Sequence, residues 1–87
     1  MNNTVNRIYV SVDCEIDIDG VETPTVLYWH DGRRWPIKRV LHETVPDIER
    51  PEEIRYTILI GSLERYLYKD ESGWFVIPPR WGGIIRV

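Results

Sequence analysis

At 87 residues the chain has room for one domain, near the lower limit for a core that needs no metal or disulfide support. Apolar residues make up 43% and charged residues 29%, which excludes extensive disorder, and the lone cysteine, Cys14, excludes an internal disulfide. The formal charge of −3 disfavours non-specific nucleic-acid binding, and no apolar run suggests a signal peptide or membrane span, so a cytoplasmic, membrane-free setting is expected.

The first strand carries Ile8, Val10, Val12, Cys14, Ile16 and Ile18 at even positions, against Asp13, Glu15, Asp17 and Asp19 at odd ones. Side chains alternate faces along a strand, so this spacing predicts an apolar stripe inward and an acidic stripe outward over about Arg7 to Ile18. A helical period would scatter the six apolar residues around the axis. The turn is expected near Asp19-Gly20.

A second strand is read from Thr23 to His30 and a third from Arg33 to His42, joined by Asp31-Gly32. A two-residue loop there would set Trp29 opposite Arg34, in cation–π reach, and Tyr28 opposite Trp35. Pro36 would then lie opposite Leu27 in a non-hydrogen-bonded pair, its missing N–H pointing away from the second strand. The third strand is expected to be free at its start and paired at its end, as at the corner of a small barrel.

Residues 43–53, with Pro46 and Pro51, read as a loop holding at most one helical turn. A fourth strand follows from Ile54 to Ile60. Gly61-Ser62 suits a type II′ turn, which places Ile60 opposite Leu63, Ile58 opposite Arg65 and Tyr56 opposite Leu67. The fifth strand ends near Asp70, Glu71-Ser72-Gly73 reads as a three-residue loop, and Trp74 to Ile77 make the sixth. Residues 1–6 are expected to be a disordered N-terminus. Residues 80–87 form a tail or a short extra strand after Pro78-Pro79.

Adjacent connections and no amphipathic helix point to a single all-β domain over residues 1–87. The expected fold is a small antiparallel meander closing into an SH3-like barrel of about six strands. An open flat sheet would leave a face and two edges uncovered.

Few residues suggest chemistry. The acidic stretch from Glu15 to Gly20 places Val26 where a calcium loop needs its bidentate Glu, so it reads as an exposed strand face. Cys14 points into an aliphatic run, the setting of a packed thiol. His30 and His42 sit at opposite ends of the third strand, outside any metal spacing. No phosphate loop, nucleophile elbow or paired-carboxylate motif is present, so neither an enzyme nor a cofactor is expected.

Tyr9, Tyr28, Trp29, Trp35, Tyr56, Tyr66, Tyr68, Trp74 and Trp81 are more aromatics than a small barrel can bury. Some must reach the surface beside arginine, where they suit a peptide, protein or single-stranded nucleic-acid partner, or else cover a second small core.

The stretch from Trp29 to Leu41 (Trp-His-Asp-Gly-Arg-Arg-Trp-Pro-Ile-Lys-Arg-Val-Leu) resembles the signature of a group of small bacterial proteins of unknown function. In them an acidic-Gly-Arg-Arg-aromatic turn leads into an Ile-x-x-Val-Leu strand. The similarity continues through Arg55-Tyr56, Gly61, Glu64 to Leu67 and Gly73 to Val76. It implies a compact bacterial β domain with no established activity, some of whose relatives stand near DNA-repair polymerase functions. The acidic first strand and the proline-bearing loop depart from that pattern, and no functional residue carries over.

The expected function is a non-catalytic binding module that uses Trp29, Arg33, Arg34, Tyr66, Tyr68 and Trp81 to engage a protein or single-stranded nucleic acid. The alternative is a structural protein, a homo-oligomer associating through a strand edge or its C-terminal tail.

Overall fold

Seven antiparallel strands form one curled sheet in a computed structural model that describes residues 6–78. In chain order they are β1 (Ile8–Ile16), β2 (Glu22–Tyr28), β3 (Arg34–Pro36), β4 (Arg39–Thr44), β5 (Ile54–Ile60), β6 (Leu63–Asp70) and β7 (Gly73–Val76). Their order across the sheet is β3-β2-β1-β7-β6-β5-β4. The first and last strands therefore pair with each other, Ile8 opposite Val76 and Val10 opposite Trp74, and zip two meanders together. The expected disordered N-terminus, apart from residue 6, and the expected tail with Trp81 lie outside the described residues.

The closed SH3-like barrel is not what forms. The sheet curls into a half-barrel whose free edges, β3 and β4, stand about 9 Å apart. The cause lies in the run predicted as one third strand. The Ile37 N–H donates to the Thr25 carbonyl of β2 at 2.8 Å, and the next N–H, of Lys38, donates to the Leu59 carbonyl of β5 at 2.7 Å. One continuous stretch thus switches partners and becomes two edges, since successive segments of a single strand cannot pair with each other. Splitting this strand also raises the count to seven.

The β2–β3 register differs by one residue from the expected one. Trp29 N–H donates to the Arg33 carbonyl and Gly32 N–H to the Trp29 carbonyl, which leaves a three-residue loop with Gly32 at φ 92°. Tyr28 consequently faces Arg34, Leu27 faces Trp35 and Val26 faces Pro36. A one-residue slip exchanges the faces, so Leu27, not Tyr28, joins Trp35 inside. Pro36 keeps a non-hydrogen-bonded position, as argued, opposite a different neighbour.

The β1–β2 loop repeats this geometry, with Asp17 N–H donating to the Val21 carbonyl and Gly20 N–H to the Asp17 carbonyl. β1 thus stops at Ile16, and Ile18 is fully exposed at the loop. Inward alternation holds from Ile8 through Cys14. Pro24 is buried beside a bulge in the β1–β2 pairing, where a residue without an N–H costs no ladder bond.

The β5–β6 hairpin follows its predicted register throughout, from Ile54 opposite Lys69 to Ile60 opposite Leu63. Gly61 takes φ 60° at the first central position. The β6–β7 loop is shorter than expected: Asp70 pairs with Gly73, which leaves two residues. Residues 45–53 form turns, without a helix, through Arg50 N–H to the Asp47 carbonyl and Glu53 N–H to the Arg50 carbonyl.

The concave core gathers Leu27, Ile37, Tyr56, Ile58, Leu67 and Val76. Burying each large apolar side chain stabilises the fold by about 1.5–3 kcal/mol. Ile8, Val10, Val12, Val40 and Ile54 pack around them.

Candidate functional site

A row of side chains crosses the convex face at one level. Tyr9 on β1 stands opposite Phe75 on β7, Phe75 opposite Tyr68 on β6, and Tyr68 opposite Arg55 on β5. Directly opposed residues project to the same side, so register alone assembles the row. The Tyr9 and Phe75 rings lie 5.3 Å apart, and Tyr68 stacks on Phe75 at 5.1 Å with 13° between planes. Tyr66 meets Tyr68 edge-on at 6.4 Å.

Two guanidiniums cap this row. Arg55 lies 4.4 Å over the Tyr66 ring and Arg7 4.4 Å over Phe75. Arg7 also bridges Glu53 at 2.9 Å and Asp70 at 3.0 Å. The Tyr9 hydroxyl donates to the same Asp70 carboxylate at 2.7 Å. Burial works against the Asp70 charge, but the hydrogen bonds from Tyr9 and from the Ser72 and Gly73 N–H groups, with the Arg7 charge, outweigh it. The carboxyl is held below its ordinary value. In return the Asp70 hydrogen bond pushes the Tyr9 phenol up.

This cluster is part core and part surface. Phe75 is wholly buried although it lies on the convex side, Tyr66 and Tyr68 are half-buried, and Tyr9 is 40% exposed. The sequence pattern contained signals for two further members of the row. Tyr9 interrupts the polar stripe of β1, and Arg55 stands opposite Tyr68 in the predicted register. Arg7 carried no such signal, because its partners lie 46 and 63 residues away.

The other predicted residues sit elsewhere. At the β2–β3 tip, Trp29 stacks on His30 at 5.2 Å and meets Trp35 at 5.9 Å, so it is half-buried and packs against the core. His30 Nε2–H donates to the Tyr9 carbonyl at 2.9 Å and pins the tip to β1. Arg33 bonds Asp31 through its Nε at 2.7 Å and its Nη2 at 2.6 Å, and its guanidinium lies 5.5 Å from the Trp35 ring. That pairing holds the Asp31 carboxyl below its usual value. Arg34 is exposed on the opposite face, beside Tyr28, so the expected Trp29–Arg34 pair does not form. Tyr66 and Tyr68 come together. Trp29 and Arg33 belong to a separate tip.

On the concave side Cys14 is half-buried, and burial, with the Glu22 charge, pushes its thiol up, away from reactivity. Among the described residues no group of three or more His, Cys, Asp or Glu side chains is placed to hold a metal ion, and no helix is long and apolar enough to cross a membrane. No protein-family model, curated protein or solved structure matches the chain.

Proposed function

We propose that this chain is a non-catalytic interaction module that engages a protein partner through the convex Tyr9–Phe75–Tyr68–Tyr66 row. The observation supporting this reading is the row itself, aromatics packed across three strands and flanked by Arg7 and Arg55. Rings already held in place lose little entropy on binding, which is why tyrosine beside arginine is favoured at interfaces. A protein is preferred to single-stranded nucleic acid because Arg7 is compensated by Glu53 and Asp70, which leaves Arg55 as the row's one cation without an ion pair among the described residues. Phosphate binding draws on uncompensated cations. The reading extends to a cytoplasmic setting and to the family whose signature residues 29–41 resemble.

The test is a photo-activated cross-linker at Tyr9, with Asp19 on a distant loop as control. A discrete protein adduct from position 9 that vanishes with Tyr66→Ala is expected. Equal labelling from both positions, or capture of labelled single-stranded RNA instead, would count against it.

Self-association is a second reading, favoured by the free edges β3 and β4. Their separation of about 9 Å is close to twice the spacing of roughly 4.8 Å between paired strands, room for one inserted strand. Light scattering across a concentration series decides it: a monomer throughout removes this reading, and a dimer abolished by Leu41→Lys on β4 supports it.

A further inference from the structure

The convex face does not end at the tyrosine row. Along β5, Arg55 is followed by Thr57, opposite His42 and Tyr66, and then by Leu59, opposite Arg39 and Glu64. Opposed residues project to one side and alternate residues of a strand share it, so all of these side chains join the convex face. Arg55 and Arg39 thus mark two corners of one surface, four residues apart along β5 and one strand across. At about 3.3 Å per residue and about 4.8 Å per strand, their backbones stand roughly 14 Å apart.

Neither guanidinium has an ion pair among the described residues. Arg39 is exposed. Arg55 lies 4.4 Å over the Tyr66 ring, and its Nε, though covered, donates to no acceptor. The ring holds this charge in position without neutralising it. Glu64 shares Arg39's level but lies across Leu59 from it, two strand spacings or roughly 10 Å away. On the β7 side of Arg55 the balance reverses, because Arg7 with Glu53 and Asp70 leaves one negative charge in excess. An anionic ligand is therefore drawn from Arg55 toward Arg39 and away from β7.

We propose that the partner presents an extended acidic segment to this face, with two carboxylates four residues apart on Arg55 and Arg39 and an apolar side chain midway against Tyr66. The inference rests on the convex row being a protein-binding surface and names the chemistry of what it binds. In an extended chain residues i, i+2 and i+4 share a face, and i to i+4 spans about 13 Å, which matches the separation of the two arginines. The middle residue then falls at the level of Thr57 and Tyr66. This pattern reads the same in both chain directions, so either orientation satisfies it. Planar guanidinium forks suit carboxylates in particular. Single-stranded nucleic acid is the poorer fit, because phosphate affinity grows with the number of neutralising cations and this surface offers two.

The experiment follows amide NMR shifts of the full chain at low ionic strength with acetyl-Ser-Glu-Ser-Leu-Ser-Glu-Ser-amide, with its counterpart carrying Gln for both Glu, and with a uridine decamer. Saturable shifts at Arg39, Thr57, Tyr66 and Tyr68 are expected with the acidic peptide. Arg55→Gln and Arg39→Gln should each weaken its binding about threefold, as for one surface ion pair, and the Gln peptide should bind about tenfold more weakly. Arg39 is exposed, so Arg39→Gln keeps the comparison open even where Arg55→Gln fails a thermal melt. Equal binding of the two peptides, or tighter binding of the uridine decamer, would overturn the acidic segment. Shifts elsewhere, or none, would overturn it too. A discrete adduct from the cross-linker at Tyr9 would then mean that the row binds a protein of other chemistry, whereas loss of the adduct as well would remove both readings.

Discussion

Replacing Tyr56 by Phe should remove a defined part of the alkaline loss of stability. Burial, with the Glu43 and Glu22 charges, pushes the Tyr56 phenol up to about 12 from its ordinary 10. A raised value means that the folded state holds the proton more tightly. The stabilisation is therefore complete below pH 10 and is lost as pH rises from there through about 12. At about 1.4 kcal/mol per pH unit, the full loss is about 3 kcal/mol, and about half of it has occurred by pH 11. Phe leaves the ring contact with Trp74 in place and removes a hydroxyl without a hydrogen-bond partner among the described residues, so wild type and variant should be nearly equal at pH 8. Urea unfolding followed by tryptophan fluorescence at pH 8, 10 and 11 reads the difference directly. By pH 11 the wild type should have lost about 1.4 kcal/mol more than Tyr56→Phe. Parallel losses in the two proteins would refute the reasoning, because the phenol would then ionise as easily folded as unfolded.

Leu27→Ala, at a fully buried position in the core, should cost about 3 kcal/mol in urea unfolding; a loss below about 1 kcal/mol would place Leu27 outside the core. Asp70→Asn should flatten the acid limb of the stability curve. The Asp70 carboxyl is held below its ordinary value, so its contribution is present above about pH 4 and is lost as pH falls through that lowered value. An unchanged acid midpoint would contradict this. Gly32→Ala meets no atom within 4 Å but forces a side chain onto φ 92°, so it should cost about 1 kcal/mol with an unchanged core, whereas Gly32→Asn should cost less.

Much of the convex row was legible from local pattern. Once Gly61-Ser62 set a two-residue turn, the pairings of Arg55 with Tyr68 and Thr57 with Tyr66 followed, and both are observed. Trp29 and Arg34 were misplaced for one reason: the loop around Asp31-Gly32 holds three residues, and its extra residue exchanges inside and outside along the hairpin. The network of Arg7 with Glu53 and Asp70 was invisible because nothing local links those positions.

Alternation and turn residues alone determined that this polypeptide forms antiparallel strands, and they set the face of each residue from Ile8 to Cys14 and from Ile54 to Asp70. Those are short-range properties, governed by backbone sterics and the two-residue period. Whether the curled sheet would seal was a tertiary matter. It turned on where Ile37 and Lys38 found their acceptors, on two different strands, and that choice left the wall open.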